Sequence, residues 1–162
     1  MRIKSVFLTL AIVASISLTA QDCEGLVSLG TKGTEVYLKS SIHIASLGNS
    51  IDLSMDGQMF TVDFVKDLGF HNHQGLVEIF YSKYTVVTEY TTDRNILSVH
   101  IPLQGSHSRE IEIFRDYPIS KFVFFKLPVE DMKITLTFPE SEMLSKLTTC
   151  MYSMVEEMKT EK

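Results

Sequence analysis

The sequence predicts an all-β domain, an antiparallel sandwich or a lipocalin-like barrel of about eight strands, closed by one C-terminal amphipathic helix. Three observations carry this. From Glu35 to Phe138 apolar residues recur with a period of two, which places them on one face of a strand. Turn signals interrupt that pattern at "DG", "TTDRN", "QGSHS", "RDYP" and "LPVED". Beyond Pro139 the spacing changes to three and four, the period of a helix face.

The N-terminus comes first. "MRIKSVFLTLAIVASISLTA" has a basic start in Arg2 and Lys4, followed by an apolar run from Val6 to Ala20. That is the pattern of a secretory signal peptide, and the run is short for a membrane span. Residues 1–20 are therefore assigned to export, with cleavage after Ala20 or after Ser17 and a retained N-terminal anchor as the alternative. The remaining 142 of 162 residues suffice for a single domain with its own core. The signal removes two of fifteen basic residues and none of the twenty acidic ones, leaving an acidic mature chain. Such a chain argues against nucleic acid and anionic membrane surfaces as partners. No later segment is apolar and long enough to span a bilayer.

Cys23 and Cys150 are the two cysteines, near opposite ends of residues 21–162. In an exported protein such a pair is expected to form one disulfide, against the alternative of two free thiols. Closing so long a loop stabilises by about 4–5 kcal/mol in the chain-entropy treatment.

The strands follow in order. Val36 and Leu38, then Ile42 and Ile44, alternate with polar neighbours. Ile51, Leu53 and Met55 alternate with Asp52, Ser54 and Asp56. Leu76 to Tyr90 is rich in β-branched and aromatic residues. Leu97, Val99, Ile101 and Leu103 share one face, and "IEIF", "KFVFFKL" and "MKITLTF" continue the series. The helix is expected over 139–158, with Met143, Leu144, Leu147, Met151, Met154, Val155 and Met158 as its apolar stripe. Pro139 suits its first turn, and Glu140 and Glu142 suit its positive end.

"DLSMDGQMFTVD" scans both as a calcium loop and as a hairpin. Asp52, Ser54, Asp56 and Asp63 would supply side-chain oxygens to an ion, but Gly48-Asn49-Ser50 breaks the helix that such a loop needs before it. A two-residue Asp56-Gly57 turn instead pairs Met55 with Gln58, Leu53 with Phe60 and Asp52 with Thr61, and keeps the apolar residues on one face. The hairpin is the better reading and requires a positive φ at Gly57. "HNH" with Glu78 and His100 imitates the ligand order of a cupin, but the glycine spacing of that fold is missing and solvated histidines are the simpler account.

Nucleophilic motifs, a phosphate loop and a distinctive carboxylate pair are all missing from the sequence, which points away from an enzyme and calls for no cofactor. The surplus aromatic surface of "IFYSKYTVVTEY" and "KFVFFKL" marks Phe80, Tyr84, Tyr90, Phe122 and Phe124 as the candidate ligand or partner surface. The expected function is non-catalytic binding of another exported or membrane protein, with an apolar pocket for a small amphipathic ligand as a further expectation. An inhibitor or immunity protein using "GFHNHQG" or "QGSHSRE" as a plug is the second class. A calcium-binding module is the third.

Overall fold

The computed structural model describes residues 23–33, 35–65, 73–105, 109–125 and 131–160. Residues 1–20, assigned above to export, lie outside them. The described residues form nine antiparallel strands: β1 (Ser28–Lys32), β2 (Glu35–Ile44), β3 (Asn49–Met55), β4 (Met59–Val65), β5 (Gln74–Tyr81), β6 (Tyr84–Asp93), β7 (Ile96–Pro102), β8 (Ile119–Phe124) and β9 (Met132–Thr135). Two helices accompany them, α1 (Arg109–Asp116) and α2 (Phe138–Thr160). The fold is thus all-β with a C-terminal helix, as the sequence indicates.

One open sheet contains all nine strands in the order β1-β2-β3-β4-β7-β6-β5-β8-β9. Laid flat, β4 and β8 would stand about 19 Å apart, four strand spacings. Instead the rings of Phe64 on β4 and Phe122 on β8 have centroids 5.0 Å apart, and Phe64 lies 5.2 Å from Phe124. The sheet therefore folds over at the β6–β7 junction, where pairing extends only from Tyr90↔Val99 to Asp93↔Ile96. The first half (β1 to β4 and β7) faces the second (β6, β5, β8 and β9), which gives a sandwich-like core.

Side-chain alternation builds that core. Leu38, Ile42 and Ile44, then Ile51, Leu53 and Met55, then Phe60, Val62 and Phe64 are all buried on one face of the first half. Val77, Ile79, Tyr90, Phe122 and Phe124 answer from the second. Helix α2 packs against β2, β3 and β8 through Leu144, Leu147, Met151 and Val155, a buried stripe at helical spacing. Met143, placed on that stripe from sequence, is 39% exposed and lies off it.

The helix begins with a return-half capping box. Glu140 Oε2 accepts from the Thr137 N–H at 2.6 Å, while Oε1 accepts from Ala45 N–H in the β2–β3 turn at 2.7 Å. Ser46 Oγ in the same turn donates to the Thr135 carbonyl and accepts from its amide. The turn, the last strand and the helix start are thereby tied together. At the other end, Cys23 and Cys150 form the expected disulfide with Cα atoms 5.6 Å apart, pinning α2 to the start of the domain.

Two sequence expectations are corrected. "IEIF" is not a strand but the centre of α1, where Ile111 and Phe114 are buried three residues apart. Four residues with one glutamate among three apolar side chains cannot separate the two periods, and the helical one wins because Phe114 packs on Phe60 at 5.4 Å. The β3–β4 turn also differs. Its register is Met55↔Phe60, Leu53↔Val62 and Asp52↔Asp63, so the strands are joined by Asp56 to Gln58, with the Asp56 N–H donating to the Met59 carbonyl at 3.0 Å. Asp56 Oδ1 accepts from both Gln58 and Met59 amides at 2.7 Å and closes this longer turn. Gly57 is not among the residues with positive φ. The slip is two residues, so parity survives and every apolar side chain stays inside.

Candidate functional site

A broad open groove of about 1790 Å³ runs along the β1–β2–β3 end of the domain. Its two walls differ because alternation sends opposite residue types to opposite faces. The polar wall is the solvent face of the first half: Lys39, Ser41 and His43 on β2, Asp52 and Ser54 on β3, Thr61 and Asp63 on β4. The apolar lining comes from Leu26, Val27 and Val36, from Met143 in the second turn of α2 and from Met158 near its end, on the opposite side of β2 from the polar residues. Lys32, Glu35 and Lys159 add charge to the lining.

The polar wall is organised by cross-strand contacts. Asp52 and Asp63 are directly opposed, an arrangement of like charges that costs stability. Burial pushes the Asp63 carboxyl above its ordinary value, and Asp52 adds to this. The hydroxyl of Ser98, donating at 2.6 Å, and nearby His100 oppose the shift. His100 places its Nδ1 3.3 Å from Thr61 Oγ1 and its Nε2 3.2 Å from Thr91 Oγ1. Ser98 is thus bonded to a carboxylate while the histidine contacts threonines. Serine, histidine and acid are not strung in the order that activates a nucleophile. Chemically, this wall offers hydroxyl and carboxylate hydrogen bonds to a bound polar chain.

The four calcium-loop oxygens are dispersed by the hairpin. Asp52 and Ser54 lie on β3, Asp56 caps the turn and Asp63 sits on β4. Among the described residues no group of three or more His, Cys, Asp or Glu side chains is placed to hold a metal ion. His71 of the cupin-like set lies outside the described residues, as do most of "GFHNHQG" and part of "QGSHSRE".

The structure divides the candidate aromatic surface. Tyr90, Phe122 and Phe124 are fully buried and pack on one another and on Phe64, so they hold the two halves together rather than meeting a partner. Tyr90 also donates its hydroxyl to the Phe125 carbonyl at 2.9 Å. Phe80 and Tyr84 do reach the surface. Phe80 lies on the solvent face beneath Lys121 Nζ, 4.0 Å from the ring centroid, and Tyr84 is 64% exposed at the tip of the β5–β6 hairpin. Sequence reasoning missed the groove. Its polar wall was legible as the outward positions of β2, β3 and β4, but its apolar wall depends on how α2 docks. Among the described residues no helix is long and apolar enough to cross a membrane.

No family model, curated protein or solved structure matches the chain.

Proposed function

We infer that the chain is a non-catalytic exported binding protein that receives an amphipathic polypeptide segment of another exported or membrane protein in the β1–β3 groove. The groove's volume carries this reading. At about 1790 Å³ it exceeds the roughly 300–1,000 Å³ typical of small-molecule pockets, and it is open rather than enclosed. The outer face of β2 to β4 supplies hydroxyls, carboxylates and a histidine, and the inner side, with α2, supplies aliphatic and methionine side chains, so a segment wrapping this end of the sheet meets a polar and then an apolar surface. Met143 and Met158 can adjust to an irregular surface because their side chains are unbranched and polarizable. The disulfide fits an oxidising, exported compartment.

Native mass spectrometry of the mature chain, purified gently from its own compartment, tests the reading. The expected result is a chain two mass units below its reduced form carrying a second, different polypeptide. A chain that arrives bare, or with only an ion or a small amphipathic molecule, overturns it.

A further inference from the structure

Three of the six tyrosines lie against one another beside the β5–β6 turn. Tyr81 and Tyr84 are cross-strand partners on either side of the two-residue turn Ser82-Lys83, and their ring centroids are 5.9 Å apart. Tyr117 belongs to the connection between α1 and β8, and its ring centroid lies 5.5 Å from that of Tyr81. Two backbone irregularities arrange this. Ser82 takes a left-handed φ of 49°, which a two-residue hairpin turn requires. The β5–β8 ladder shifts register between Phe80 and Tyr81, so Tyr81 pairs with Ile119, two residues from Tyr117. Tyr84 and Tyr117 are exposed and Tyr81 is half-buried, so solvent reaches the cluster. The other three tyrosines are placed differently. Tyr37 covers Gly30, Tyr90 is buried with its hydroxyl on the Phe125 carbonyl, and Tyr152 lies under Arg115.

We propose that Tyr81 and Tyr117 form a site of oxidative cross-linking, at which a haem peroxidase with hydrogen peroxide joins the two rings by a carbon–carbon bond. Each phenol gives up one electron and one proton. The two phenoxyl radicals couple through ring carbons beside their oxygens, and the hydrogens on those carbons move to the oxygens and restore both phenols. For each bond formed, one peroxide becomes two waters and the chain loses two hydrogens.

Proximity selects the pair. Radicals on rings already in contact couple within one chain more readily than through the collision of two chains. Of the two contacts that Tyr81 makes, the one to Tyr117 is the closer. The Cys23–Cys150 bond fits an oxidising compartment, where the thiols that reduce such radicals are depleted. The new bond ties the β5–β6 hairpin to the start of β8, and thiol exchange cannot reverse it as it can the disulfide. Neither tyrosine lines the β1–β3 groove, so the site stands independently of the function inferred for that groove.

The test treats the disulfide-bonded mature chain, at low concentration, with a haem peroxidase and limiting hydrogen peroxide. The expected product is a monomer lighter by two hydrogens that shows dityrosine fluorescence. Trypsin cuts after Lys83 and after Arg115, so Tyr81, Tyr84 and Tyr117 fall on different peptides and mass spectrometry reads the joined pair directly. Tyr81→Phe and Tyr117→Phe remove the oxidisable hydroxyl and are each expected to lower the yield of intramolecular product sharply, whereas Tyr37→Phe leaves it unchanged. Circular dichroism of each variant confirms that it folds. The absence of an intramolecular product, a bond that joins a different pair, or an undiminished yield in Tyr117→Phe overturns the proposal.

Discussion

The two halves of the folded sheet share one core but present opposite outer surfaces. On the first half, the outward residues of β2, β3, β4 and β7 include hydroxyls, carboxylates and histidines, of which Thr61 and His100, and Ser98 and Asp63, bond across strands. On the second half, the outward face of β6, β5 and β8 carries Val87, Leu76 and Phe80 among Glu78, Glu89 and Lys121. Both inner faces are equally apolar. The inner layer is set by the need to bury surface, which leaves the outer layers free to differ. The polar face borders the groove; the apolar face borders the Tyr84 to Glu89 stretch of β6, which pairs with no described strand on its outer side. The two surfaces suit two kinds of contact.

The largest expected effect lies where the halves touch. Phe64→Ala removes the ring that spans from β4 to Phe122 and Phe124, and should cost about 3–5 kcal/mol in denaturant unfolding. A single, cooperative transition is expected, and a biphasic one would mean that the halves fold apart. Next comes the pairing of Cys23 with Cys150, which encloses a sequence separation of 127 residues. Replacing both cysteines by Ser should lower stability by about 2–5 kcal/mol, seen as a lower melting temperature that no longer responds to reductant.

Glu140 provides a smaller effect that is confined to the closure between the β2–β3 turn and α2. Burial tends to raise its pKa, but the amides of Ala45 and Thr137 donating to it prevail and hold it below its usual range. A depressed carboxylate stabilises the fold above its unfolded pKa, and that contribution disappears as pH falls through the folded one. Glu140→Ala should therefore cost about 0.5–2 kcal/mol at neutral pH and progressively less in acid. Asp63 has the opposite sign. Its raised pKa means that the folded state holds the proton more firmly, so ionisation near neutral pH weakens the fold. Asp63→Asn should stabilise at neutral pH by about 1 kcal/mol or less, with the gain vanishing below the carboxylate range; paired melts at the two pH values check this.

The smallest effect concerns the hairpin read first from sequence. Gly57 has open space around the position of a Cβ and no left-handed φ, so Gly57→Val should shift stability by no more than about 0.5 kcal/mol. A two-residue turn would have made it costly. Gly75 supplies the contrast: a Cβ there would lie 2.6 Å from the Tyr90 hydroxyl, so even Ala must displace the ring that anchors Phe125.

Most of the fold was legible because period-two alternation survives every tertiary detail. Ile51, Leu53 and Met55 face inward whether Met55 pairs with Gln58 or with Phe60. The disulfide and the helix at 138–160 followed from cysteine positions and the change of period. What sequence could not supply is long-range. Nothing in "KFVFFKL" says that Phe122 and Phe124 will meet Phe64 from a strand four places away, so they looked like surplus surface. Nothing in "ASLGNS" says that Ala45 and Ser46 will meet Glu140 and Thr135. The groove likewise depends on where α2 comes to rest.

The most direct test of the binding account is photo-crosslinking inside the native compartment, with a photoreactive residue at Met143 on the apolar wall and, as a control, at Thr149, exposed elsewhere on the same helix. A discrete adduct to one other exported or membrane protein from position 143, and none from 149, is the expected result. No adduct at 143, or the same pattern at both positions, would contradict the account.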